Sequence, residues 1–137
     1  MRTIKVKCPA KINLDLKVLN KRPDGFHNIE STMQTIGLYD FLTINVDESS
    51  ETVIRLDGNS NEIPYDDNNI VYKAILAFLK ETNQTAIVKV FIEKNIPVSA
   101  GLAGGSTDGA GVILGLNELF GHPLKNSQLH VICAKLG

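Results

Sequence analysis

The segment Ile96-Pro97-Val98-Ser99-Ala100-Gly101-Leu102-Ala103-Gly104-Gly105-Ser106-Thr107-Asp108-Gly109-Ala110 puts a glycine-rich loop between a strand-like run and a helix-like one. That order narrows what the chain can build there. Glycines let the backbone turn through positive φ and approach a ligand closely, while the first amides of the following helix point outward without partners. Several such amides can converge on one anion. The segment lacks the Gly-Lys-Ser/Thr ending of a Walker A loop and does not match Gly-x-Gly-x-x-Gly in register, which disfavours both common nucleotide folds. Two readings stay open: a phosphate cradle, or a flexible loop hinged at Gly104-Gly105 with Ser106 or Thr107 as helix N-cap.

A chain of 137 residues that is 43% hydrophobic can bury one core, so an α+β domain, whole or part of a larger one, is expected. Its net charge of -1 gives no bulk attraction to a polyanion, so no nucleic-acid partner is expected. Arg2, Lys5, Lys7, Lys11, Lys17, Lys21 and Arg22 are spread through alternating apolar sequence and mostly read as solvated strand faces. Cys8 and Cys133 stand far apart with no histidine or second cysteine at ligand spacing, which suits a reducing cytosol and suggests neither zinc nor a disulfide. With no apolar leader and no run near the ~18 apolar residues of a membrane span, the expectation is a soluble, cytoplasmic, untargeted protein.

Apolar alternation over residues 3–19 breaks at Pro9-Ala10, giving two strands or one bent strand. Lys21-Arg22-Pro23-Asp24-Gly25 is a turn, and residues 26–36 return to strand. Residues 40–46 and 52–56 read as two more strands, expected to pair as a hairpin or meander. Asn68-Asn69 precedes the apolar set Ile70, Val71, Ala74, Ile75, Phe78 and Leu79, a capped amphipathic helix ending near Thr82. Residues 85–93 form a strand that feeds the glycine-rich loop, and a buried helix runs from after Ser106 to Phe120, stopped by Gly121-His122-Pro123. Ser127 is expected to cap a last helix. Because Ala134-Lys135-Leu136-Gly137 reads as a run into more fold, a truncated chain is expected.

Three segments in order, Pro9-Ala10-Lys11-Ile12-Asn13-Leu14, Asp67-Asn68-Asn69-Ile70-Val71-Tyr72-Lys73-Ala74 and the glycine-rich loop, resemble the GHMP kinases. Within that superfamily, Arg22-Pro23-Asp24-Gly25-Phe26-His27 is similar to the 4-diphosphocytidyl-2-C-methyl-D-erythritol kinases of non-mevalonate isoprenoid biosynthesis. The resemblance implies an α+β fold with helices on one face of a sheet, of a type ribosomal proteins also use. It makes residues 1–137 the N-terminal, ATP-binding domain, with an acidic catalytic residue and a C-terminal domain beyond Gly137. The implied reaction moves the ATP γ-phosphoryl group, with Mg²⁺, to the 2-hydroxyl of the cytidine-diphosphate-linked methylerythritol, and the isolated chain is expected to lack turnover.

Residue roles follow from the same resemblance. Lys11 is the implied catalytic lysine, although a lysine in a strand is otherwise a solvated edge residue. Asn13, two residues on, shares its strand face and would reach the same substrate. Phe26 would stack on cytosine and His27 bond its edge; core packing and a surface histidine are the plain alternatives. The implied ATP site comprises Asn69, Ile70 and Lys94 at the adenine, with Pro97, Val98, Ser99, Ala100, Gly101, Leu102, Ala103, Gly104, Gly105, Ser106 and Thr107 around the triphosphate. Asn69 is otherwise a helix cap. Asp108 reads as complementing the helix dipole, no metal ligand is assigned, and His122 and His130 have no role. Gly109 and Gly111 should each weaken their helix by up to ~1 kcal/mol unless packing requires them. The alternatives are another GHMP kinase of homoserine or mevalonate type, and a non-catalytic binding module.

Overall fold

In β-strands alternate side chains face opposite ways, and the described part of this chain applies that rule across four strands. The computed structural model describes residues 2–9, 39–96 and 104–136. They form β1 (Arg2–Pro9), β2 (Tyr39–Glu48), β3 (Val53–Gly58), α1 (Ile70–Glu81), β4 (Ala86–Glu93), α2 (Gly104–Leu119) and α3 (Asn126–Leu136). The expected strands and turn at residues 12–36 lie outside the described residues.

The strand order is β1-β2-β4-β3, antiparallel except for the β3–β4 pair, which is parallel and joined through α1. Register aligns half-buried Val6 with Leu42, and among buried residues Leu42 with Ile92, Ile44 with Val90 and Val46 with Val88, so neighbouring strands form continuous apolar rows. Helices cover that face. On the other face Lys5 and Lys7 lie over the rings of Phe41 and Tyr39, and Phe91 stays exposed. This is the expected α+β arrangement, with one correction: β2 and β3 do not pair as a hairpin or meander, because β4 lies between them. The polar link after β2 carries no two-residue turn signal. β4 buries Ala86, Val88, Val90 and Ile92, whereas β3 exposes Arg55 and Asp57, charges suited to an edge.

Helix α1 follows its sequence signals closely. Asn69 is the N-cap, its Oδ1 accepting from the Val71 amide at 2.8 Å, and Val71, Ala74, Ile75, Phe78 and Leu79 form the buried stripe. Asn83, at φ 52°, ends it in the left-handed conformation, with Gln84 N–H donating to Leu79 O and Asn83 N–H to Lys80 O. α2 ends the same way at Gly121, φ 79°, as expected. Its start differs: the helix begins at Gly104, so Ser106 and Thr107 lie inside the first turn and neither is the N-cap. α3 likewise begins before Ser127. The Lys125 amide donates to Gln128 Oε1 at 2.9 Å, the reciprocal half of a capping box, which moves the cap two residues earlier, from Ser127 to Lys125.

The glycines of α2 have a packing reason. A Cβ on Gly111 would run into Cys8 Sγ, and one on Gly115 would lie 2.6 Å from Ile44 Cδ1 and 2.9 Å from Val6 Cγ2. Glycine there lets the helix backbone rest on β1 and β2. One on Gly109 would come within 3.2 Å of Ile70 Cγ1. Gly111→Ala is expected to cost about 1–3 kcal/mol of overpacking, offset by up to ~1 kcal/mol of helix propensity, and to lower the urea midpoint. Adding Cys8→Ala should recover most of the loss. A double variant no more stable than Gly111→Ala alone would show that this contact is not the cause.

Candidate functional site

Strand β4 leaves the sheet at Glu93, and Asn59 Oδ1 at once takes the Lys94 amide at 2.8 Å. The Lys94 side chain then turns inward. Its Nζ lies 2.6 Å from Asp40 Oδ2 and 3.4 Å from Asp108 Oδ2, with side-chain exposures of 6%, 0% and 4% for Lys94, Asp40 and Asp108. Asp40 Oδ1 accepts from the backbone amides of Asn95 at 2.7 Å and Ile96 at 2.9 Å. One carboxylate on β2 therefore holds the chain where it enters the glycine-rich segment, and one lysine links that carboxylate to α2 on the far side of the segment.

Two carboxylates on one buried ammonium cannot both ionise cheaply. Burial raises the Asp108 pKa, and the neighbouring Asp40 raises it further, to about 8 despite Lys94. Burial acts to raise Asp40 too, but hydrogen bonds from Asp108, Lys94 and the Ile96 and Asn95 amides outweigh it and leave the pKa lowered. The pair thus holds one proton at neutral pH, on Asp108. Burial and the two carboxylates push the nearby Cys8 thiol up to about 12, so it is not a nucleophile. Among the described residues, Asp108 Oδ1 is buried with no hydrogen-bond partner.

A pH dependence follows from the raised Asp108 value. Between about pH 4 and about pH 8 the folded chain keeps a proton that the unfolded chain has released, so this group's stabilising contribution is complete below about 4 and lost as pH rises through about 8. Unfolding midpoints of the parent should fall from about pH 5 to about pH 8 more than those of Asp108→Asn. Parallel curves for the two proteins would mean that Asp108 does not titrate in that window.

The structure brings three of the sequence-derived residues to one cleft. Asn69, Ile70 and Lys94 line a cavity of about 130 Å³ together with Ile63, Pro64 and Asp108. Asn69 also donates through Nδ2 to Pro64 O at 2.7 Å, so it caps α1 and fixes the cleft wall together. The backbone of Gly104, Gly105, Ser106 and Thr107 forms the first turn of α2, where there is no acidic residue to oppose an anion. Lys11, Asn13, Phe26, His27, Pro97, Val98, Ser99, Ala100, Gly101, Leu102 and Ala103 lie outside the described residues. Asp108 does not serve the helix dipole. It is the fifth residue of α2, buried, and turned to Lys94.

Asp40 escaped the sequence reading, although it occupies the inward phase of β2 ahead of Leu42, Ile44 and Val46, where a charge needs a partner. His122 pairs with Glu118 at 3.1 Å on the exposed end of α2. A larger depression of about 460 Å³ lies on the sheet face opposite the helices, beside Asn45, Arg55, Lys89 and Phe91, and Asn69, Ile70 and Lys94 are not among its lining residues. The smaller cleft is the better candidate, because Lys94 and Asp108 of the buried ion cluster line it beside the helix cap Asn69. Among the described residues no helix is long and apolar enough to cross a membrane, and no group of three or more His, Cys, Asp or Glu could hold a metal.

Known proteins share the family pattern and the fold of this chain. Residues 69–137 match the family pattern of the GHMP kinases N terminal domain. A protein of Clostridioides difficile (strain 630) named 4-diphosphocytidyl-2-C-methyl-D-erythritol kinase is 46% identical over 137 residues, covering 100% of this chain and 46% of its own length. Its namesake in Clostridium tetani (strain Massachusetts / E88) is 42% identical over 134 residues, 98% of this chain and 47% of its own length. The chain thus spans about half the length of the curated relatives it matches. Among solved structures, homoserine kinase from Cytophaga hutchinsonii superposes with TM-score 0.70 at 14% identity, covering 99% of this chain and 41% of that one. A 4-(cytidine 5'-diphospho)-2C-methyl-D-erythritol kinase superposes with TM-score 0.53 at 23% identity, covering 99% and 45%. At those identities the likeness is one of fold. A glycine-rich entry to α2, a capped α1 beside it and a matching family pattern lead to one conclusion: this chain belongs to the GHMP kinases.

Proposed function

We propose that this chain is the N-terminal, ATP-binding part of a kinase that phosphorylates the 2-hydroxyl of 4-diphosphocytidyl-2-C-methyl-D-erythritol in isoprenoid precursor synthesis. GHMP kinases use ATP as co-substrate, and the relatives named for the cytidyl substrate support the choice of acceptor. The carrying observation is the direction of α2 on β1. Gly111 sits on Cys8 and Gly115 on Val6, so the helix runs antiparallel to the strand, and its N-terminus shares an end of the molecule with the end of β1 at Pro9. Two residues beyond Pro9 can span at most about 7 Å, and Gly104 stands about 10 Å up the helix from Gly111. That reach allows Lys11, in this reading, to meet a phosphoryl group held by the amides at the start of α2.

In this reading the first-turn amides of α2, with Gly101, Leu102 and Ala103 before them, cradle the phosphates, and Asn69, Ile70 and Lys94 line the adenine end. Phosphoryl transfer calls for in-line positioning and charge neutralisation more than covalent chemistry. The chain's share is to hold the triphosphate, exclude water from it and bring Lys11 to the transferring oxygens, while Asn13, Phe26 and His27 hold the acceptor. Mg²⁺ would offset charge on the phosphates and come with them. An acidic partner for Lys11 would stand in the second half of a full-length enzyme, so these 137 residues alone should give negligible turnover.

The test is a phosphorylation assay on a full-length version, offering the cytidyl substrate, homoserine and mevalonate with ATP. Turnover of the cytidyl substrate alone is expected. A preference for homoserine or mevalonate would move the chain to another branch of the family, and RNA binding without ATP turnover would favour the binding-module reading.

A further inference from the structure

Three observations at the buried ion pair have no part in the chemistry proposed above. Asp40 spends one oxygen on the amides of Asn95 and Ile96, the last described residues before the glycine-rich segment. Lys94 Nζ is shared between Asp40 on β2 and Asp108 on α2, the helix that follows that segment. The link to Asp108 is the longer of the two, at 3.4 Å against 2.6 Å, and the other Asp108 oxygen has no partner among the described residues.

We propose that Asp40, Lys94 and Asp108 form an internal clasp that sets the exit of β4 against the first turns of α2, and so fixes where the amides at the start of that helix stand to receive the ATP phosphates. The proposal rests on the kinase reading for its ligand. Asp40 and Asp108 are positioning residues acting through the backbone, and Lys94 joins them while lining the adenine end. A purely stabilising ion pair would account for Lys94 and Asp40 alone; burying a second carboxylate whose other oxygen has no partner among the described residues works against stability and needs another reason. Asp108 supplies it by standing on α2, on the far side of the segment from Asn95 and Ile96.

Asp108→Ala in the full-length enzyme cuts the tie to α2 and leaves the Asp40 bonds to Lys94, Asn95 and Ile96 in place. It loses the bond to Asp40 together with an oxygen that has no partner among the described residues, so the melting temperature should change little. The clasp predicts a roughly 10- to 100-fold fall in kcat/KM for ATP, the scale expected when reacting groups are displaced by about an ångström. In the ligand-free protein the amides of residues 108–110, which close the first turn of α2, should exchange with deuterium faster than in the parent. Asp108→Asn, which keeps an oxygen facing Lys94, should restore both. Should the alanine variant fold poorly, Asp108→Ser makes the same cut, its hydroxyl satisfied on a carbonyl of the preceding turn.

Unchanged exchange with unchanged kcat/KM would overturn the clasp. So would a folded Asp108→Asn that stays as impaired as alanine, or an impaired alanine variant with parental exchange, since either would mean that the carboxylate meets the ligand directly. A parent enzyme that turns over no ATP would sink the kinase reading instead, while the exchange comparison would still decide for or against the clasp.

Discussion

Asp40→Ala should cost the fold about 3–5 kcal/mol, the range for removing one partner of a buried ion pair. The loss has two parts. Lys94, only 6% exposed at its side chain, would keep a single carboxylate 3.4 Å away in place of the one at 2.6 Å. The amides of Asn95 and Ile96 would also lose their acceptor. Asp108 partly compensates: without Asp40 beside it, its proton should leave at lower pH, and it becomes the counter-ion of Lys94. Asp40→Asn separates the two parts, because it can still accept from the amides while giving up the charge, and should cost less, about 1–3 kcal/mol. Urea unfolding followed by circular dichroism measures both. An Asp40→Ala midpoint within about 1 kcal/mol of the parent would mean that water solvates Lys94 after all.

The second large effect concerns rate. Lys11→Ala in a full-length kinase carrying this segment should lower kcat by roughly 10²–10³, the scale for losing one preorganised charge at the transferring group. The KM for ATP should change little. An interaction made mainly in the transition state gives that split, whereas a lysine that merely holds ATP would raise KM with kcat unchanged. An unchanged kcat removes Lys11 from the chemistry.

What the sequence made legible here was periodic or local. Asn69 as a cap, the stripe from Val71 to Leu79 and the stop at Gly121 each depend on residues within a turn of one another, and each stands where expected. Strand partners were not legible. The sheet order follows from which inner faces match across space, and β4 took the place beside β2 through rows such as Leu42 on Ile92, a pairing that neighbouring sequence does not encode. The same reason hid the ion cluster: Asp40, Lys94 and Asp108 come from a strand, a strand exit and a helix. Asp40 alone gave a signal, as a charge on the apolar phase of β2. Gly111 read as a weakness because propensity was visible and Cys8, over a hundred positions away, was not.

That last contact bears on how the chain acquires its shape. Among the described residues the apolar side of the first strand is covered by α2, the helix that carries Gly111 and Gly115, so that cover arrives only once α2 itself has left the ribosome. The unit from β3 through α1 to β4 closes over far shorter spans and can condense earlier. Contacts that join distant positions are slow to form, because loop closure is costly before it is rewarded. The docking of β1 should therefore be a late step, and a nascent chain stalled ahead of α2 would expose a ready template for aggregation.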